Sequence, residues 1–130
     1  MKNKILLAGL FCCSLISTEA QVLLDKNAGK NSFPIVSPSA NVVVCFDGKD
    51  ETVVRKSVSL FTDDVRRVTG QDLKAQASNP GEVSARYAII VGTAGKSAWI
   101  DALTAKKKID ITPIAGGWER YMIETVDNPA

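Results

Sequence analysis

The sequence predicts an α/β domain, layered in the order β-α-β-β-α-β with helices packed on a sheet. Three observations carry that prediction. Two short, continuous apolar runs, residues 41–46 and 87–91, have the pattern of strands buried on both faces. Between them, residues 51–68 repeat apolar side chains at helical spacing. Turn-forming residues at Asp47-Gly48, Gly70 and Ser78-Asn79-Pro80-Gly81 separate the segments.

The chain opens with a different kind of segment. Lys2 and Lys4 precede an apolar run from Ile5 to Leu15, and Thr18-Glu19-Ala20 supplies a small-residue cleavage site. These are the three parts of a cleavable secretory signal peptide, residues 1–20, with cleavage after Ala20. The apolar run is too short to span a bilayer, which takes roughly 20 residues. Cys12 and Cys13 lie near its end, but Phe11 before Cys12 is not the small residue that lipidation usually follows. The expected location is therefore the periplasm or the exterior. Cleavage removes two of the three cysteines and leaves Cys45 alone, so an internal disulfide is excluded. It also removes Lys2, Lys4 and Glu19, which leaves 14 basic and 13 acidic residues, a net charge near +1. That balance gives no basis for a nucleic-acid partner or an anionic membrane surface.

Residues 21–40, with Asn27, Gly29, Asn31, Pro34 and Pro38, read as an extended lead-in, and residues 41–130 as the domain. In the helical segment, Val54, Val58, Phe61, Val65 and Val68 recur at spacings of four, three, four and three and form one stripe. Gly70 supplies the left-handed position that commonly ends a helix. Residues 73–77 fit a short strand, turned by Ser78-Asn79-Pro80-Gly81. After the second buried strand and the loop Gly92-Thr93-Ala94-Gly95, residues 96–106 read as a helix with Trp99, Ile100 and Leu103 facing inward. Residues 109–111 fit a further short strand. Residues 118–126 alternate Tyr121, Ile123 and Thr125 with Met122, Glu124 and Val126, the period of a last strand. No closing helix follows that strand, and the domain is expected to be incomplete at its C-terminus.

Candidate chemistry is sparse. Gly95-Lys96-Ser97 after a buried strand invites a phosphate-loop reading, but the required glycine five residues earlier is Ile90 and the loop is too short. Gly95, Lys96 and Ser97 remain a weak site for a small anion or ligand at a helix start, against the simpler reading of an ordinary strand-to-helix turn. The sequence holds no histidine, which removes Ser-His-Asp and Cys-His nucleophile pairs and the commonest metal ligand. Cys45 sits in an apolar strand, where a thiol is inert packing. Asp47, Asp50 and Glu51 gather at the end of the first strand, the edge where open α/β sheets place ligands. Capping of the following helix is the simpler role for them. Trp99 shares a stripe with Leu103 and reads as core, whereas Trp118 fits either core or a flat face for sugar stacking. No catalytic residue, cofactor site or metal site is expected.

A longer pattern covers the second half of the chain. It comprises Ile89-Ile90-Val91-Gly92-Thr93 with Gly95 and Ser97, then Ile100-Asp101 and Leu103, then Lys108-Ile109-Asp110 and Ile114. Gly117-Trp118-Glu119 and the stretch from Ile123 to Val126-Asp127-Asn128-Pro129 complete it. In this order the residues resemble the N-terminal domain of glycoside hydrolase family 115, the xylan α-glucuronidases, and Arg66-Arg67-Val68-Thr69-Gly70 fits the same domain. The resemblance spans roughly residues 33–130 and implies a secreted, multidomain parent enzyme. In such a parent, a (β/α)₈ barrel carries the acidic catalytic residues that remove glucuronic acid, or its 4-O-methyl ether, from xylan. The present sequence lacks that barrel, and no catalytic position of the family falls on any of its residues. The implied partners are the remainder of the parent enzyme and, through it, the polysaccharide. Two other readings stand beside this one. One is a stand-alone periplasmic carbohydrate-binding or interaction module; the other is the same kind of domain ahead of a different sugar hydrolase, such as a hexosaminidase barrel.

N-terminal sequencing of the exported chain should read from Gln21, and Ala20→Arg should leave the unprocessed form to accumulate.

Overall fold

The first strand, β1 (Val42–Phe46), is the centre of a three-stranded parallel sheet whose order is β2-β1-β3. The computed structural model describes residues 32–37 and 40–129; residues 1–20, where a signal peptide is expected, and the start of the lead-in lie outside them. The chain runs from β1 through helix α1 (Thr52–Thr69) to β2 (Lys74–Ala77), then through a long connection to β3 (Tyr87–Val91) and helix α2 (Ala98–Ala105). Val43 pairs with Lys74 on one side of β1 and with Ala88 on the other, and Phe46 pairs with Ala77 and Val91.

Because side chains alternate along a strand, β1 contributes to two cores. Val42 and Val44 pack with Val58, Val65 and Leu73, and Phe46, Phe61, Tyr87, Ile89 and Val91 flank them. Ile35, Val36 and Ala40 of the lead-in close the same cluster. Val43 and Cys45 point the other way, onto Trp99, with Val83, Ala85, Ala88 and Ile90 around them. The Trp99 indole N–H donates to Ser78 O at 2.7 Å, which satisfies its one polar atom. The expected two-sided burial of the first strand, the thiol packed in the core and the inward Trp99 are all present.

Helix α1 matches its apolar stripe except at the last member. Val54, Val58 and Val65 are buried and Phe61 is half-buried, but Val68 is 82 % exposed. An 18-residue helix is about 27 Å long, whereas a five-residue strand spans about 17 Å. The final turn therefore overhangs the sheet, and Leu73 fills the end of the core instead. Gly70 ends the helix at φ 71°, and its N–H donates to Arg66 O at 2.8 Å. The turn after β2 uses Pro80 and Gly81 (φ 87°), with Glu82 N–H donating to Asn79 O at 3.2 Å. The Glu82 carboxylate accepts from both the backbone and the side-chain amide of Asn79.

Two predicted strands are not formed. Residues 109–111 and 118–126 adopt no regular structure, so the order is β-α-β-β-α and the last β is missing. The alternation in 118–126 is real, but it is a necessary condition for a strand and not a sufficient one. A strand also requires a ladder partner, and among the described residues β3 pairs with β1 alone. Trp118, Tyr121 and Ile123 are left 82–88 % exposed. No helix among the described residues is long and apolar enough to cross a membrane.

Val58→Ala should lower the unfolding free energy by about 2 kcal/mol, whereas Val68→Ala should change it by under about 0.5 kcal/mol. Paired urea titrations read both, and equal losses would place Val68 in the core.

Candidate functional site

The C-terminal ends of β1 and β3 lie side by side, since Phe46 and Val91 are register partners. The loops that follow them therefore meet. Asp47, Asp50 and Glu51 come from the first loop, and Gly92 through Ser97 from the second. This is the sheet edge where parallel α/β folds place ligands.

Asp47 and Asp50 are both buried there. One oxygen of Asp47 accepts from Lys49 N–H at 2.8 Å and the other from Ala98 N–H, the first residue of α2, at 2.9 Å. Asp50 accepts from Glu51 N–H at 2.7 Å and, across the gap, from Thr93 N–H at 2.8 Å. All four carboxylate oxygens thus hold backbone amides. The expected role as caps of α1 is corrected by this geometry. The N-cap of α1 is Glu51, which makes no side-chain capping bond. Asp47 instead satisfies an amide of the second helix, placing its charge at the positive end of that dipole. Sequence reasoning assigned these acids to the nearest helix start. The parallel pairing of β1 and β3 brings a second helix start equally close, and that pairing is a long-range fact.

The Gly95-Lys96-Ser97 turn sits opposite. Lys96 N–H and Ser97 N–H both donate to Thr93 O, at 3.1 and 3.0 Å. The Lys96 ammonium pairs with the Glu51 carboxylate; that hydrogen bond, together with the charges of Glu51 and Asp50, raises its pKa. Gly95 adopts φ 75°, a conformation that favours glycine. Gly92 has a different reason for lacking a side chain. A Cβ on it would lie 2.6 Å from Ser97 Cβ and 2.9 Å from Ile100 Cγ1. Ser97 is fully buried beneath it, and its hydroxyl has no hydrogen-bond partner. The weak anion candidate thus consists of amides and a lysine that already have partners in the chain, with three carboxylates beside them.

The chemistry available here follows from the donors. Hydrogen bonds donated by the backbone N–H groups of Ala98 and Lys49 hold the Asp47 carboxyl below its usual range, so it stays ionised and is not a proton donor near neutrality. Burial pushes the Cys45 thiol up, away from the reactive thiolate. Among the described residues, no three His, Cys, Asp or Glu side chains converge as a metal ion requires. A shallow cleft of about 450 Å³ lies near the end of α2, lined by Thr104, Lys107, Lys108, Ile109, Asp110 and Glu124. Asp110 in it is also held low, by its hydrogen bonds with Thr112. The edge is a clamp between two loops, built from carboxylates and amides.

No known family model matches the chain, and no curated protein matches it.

A carboxyl whose folded pKa is depressed adds its stability in full above its unfolded value, about 3.9 for Asp. That stability is lost as pH falls through the folded value. Asp47, Glu82 and Asp110 are all shifted down. Urea midpoints should therefore fall below about pH 4. Asp47→Asn should lower the midpoint at pH 7 and flatten that acid slope. An unchanged slope would count against the clamp.

Proposed function

We propose that this chain is a non-catalytic N-terminal α/β domain of a secreted glycoside hydrolase resembling the xylan α-glucuronidases of family 115. The parent enzyme acts on glucuronic acid side chains of xylan, and the partner of this domain is the catalytic barrel. The observation that carries the non-catalytic part is the occupancy of the carboxylates at the sheet edge. A glycosidase works with two carboxyl groups held roughly 5–10 Å apart across a sugar, one able to give up a proton. Asp47 and Asp50 spend every oxygen on backbone amides, and the Glu51 carboxylate is paired with Lys96. The assignment to the family rests on the ordered run of residues from Tyr87 to Pro129. The α/β class of the fold agrees with it.

Incubation of the purified chain with glucuronoxylan should release no uronic acid, and addition of a separately expressed family 115 barrel should give a complex in gel filtration. Release of uronic acid by the chain alone would overturn the reading. Retardation on glucuronoxylan affinity gels without turnover, and without barrel binding, would favour a stand-alone carbohydrate-binding module.

A further inference from the structure

We infer that the outer edge of β3 is the interface for a second copy of this chain. The two β3 strands pair antiparallel about a two-fold axis, giving one continuous sheet of order β2-β1-β3-β3-β1-β2. The inference stands independently of the function proposed above. Tyr87 N–H donates to Asn41 O, and the parallel register turns the backbone groups of Tyr87, Ile89 and Val91 toward β1. Ala88 and Ile90, alternating with them, direct N–H and C=O to the outer side, where no group among the described residues bonds them.

The two edges of the sheet are not equivalent. β2 is four residues long, largely exposed, carries Lys74 and is followed by Pro80, features that blunt an edge against pairing. β3 is five apolar residues, Tyr87-Ala88-Ile89-Ile90-Val91, of high strand propensity and without charge, proline or glycine. With Ile89 on the axis, Ala88 of each copy lies opposite Ile90 of the other, and the outward N–H and C=O groups of both residues are all bonded. Tyr87 then faces Val91, an aromatic against a β-branched side chain. The same register sets exposed Arg86 opposite Gly92 of the second copy. Gly92 carries no side chain to obstruct it, and the next residue, Thr93, donates its N–H to the Asp50 carboxylate at 2.8 Å. At that end of the sheet Asp47, Asp50 and Glu51 outnumber Lys49 and Lys96. Each Arg86 therefore meets an acidic end, whereas a parallel copy would set Arg86 beside Arg86 and acids beside acids. The contact uses the same patch on both molecules, so it closes at two copies. A pair of five-residue strands is a small interface, and the dimer is a weak one.

Sedimentation equilibrium of the full chain from about 10 µM to about 1 mM should show monomer passing to dimer. Over the same range the Ala88 and Ile90 amides should exchange more slowly as concentration rises, with β1 amides unchanged. Arg86→Glu, an exposed change that leaves both cores intact, should raise the dissociation constant about tenfold. Ala88→Pro removes only an outward donor, a position where edge strands accept proline, and should abolish the dimer in a chain shown by circular dichroism to be folded. A chain that stays monomeric throughout the range would overturn the proposal. So would a dimer whose Ala88 and Ile90 amides gain no protection, which would place the contact elsewhere, for example on the exposed Trp118 and Tyr121. Growth past the dimer, or a dimer of unchanged affinity in Arg86→Glu or in folded Ala88→Pro, would overturn it equally.

Discussion

Everything described in this chain depends on β1 being surrounded. It is bonded along both edges and packed on both faces, with Val44 and Cys45 fully buried. No other element has that position. β2 is largely exposed and β3 only half-buried, and among the described residues each has a single partner strand. A small sheet of this kind takes its stability from one central strand and from the two clusters that meet across it. The near-continuous Val-Val-Val-Cys-Phe run is the sequence expression of that requirement, because neither face can tolerate a polar side chain.

The same central position explains the polar architecture at the strand's end. When a buried strand stops, the loop after it begins among backbone groups that have lost their ladder. Asp47 and Asp50 supply acceptors there, and they serve the loops on both sides of the sheet edge. Buried carboxylates are costly unless their oxygens are filled; here backbone amides fill them. Gly92 permits the close approach, since a side chain at that position would collide with Ser97 and Ile100. The edge thus commits the carboxylates of Asp47 and Asp50 to joining two loops.

The strands β1 and β3, the helix α1 with its glycine stop, and the Pro80-Gly81 turn were legible from local pattern, because each is set by period or by one residue's backbone preference. Boundaries moved by a residue or two, as at Leu73, which packs in the core ahead of β2. Trp99 was legible as core because Leu103 follows it at helical spacing. Less could be read at the site. The acids were visible, but their partners Thr93 and Ala98 lie 43 and 51 residues away, and only the parallel register of β1 with β3 joins them.

The sequence by itself determined the α/β class and the choice of the buried strands, because burial on two faces and helical amphipathicity are written in short-range periodicity. Only the tertiary structure decided which apolar residues find a core and which alternating segment finds a ladder. Val68 obeys the helical stripe yet stands in solvent, since the helix outruns the sheet beneath it. Residues 118–126 obey the strand period yet carry no strand, since a strand is a property of two segments. Local pattern fixes what a segment can become, and the length and edges of its neighbours decide what it is.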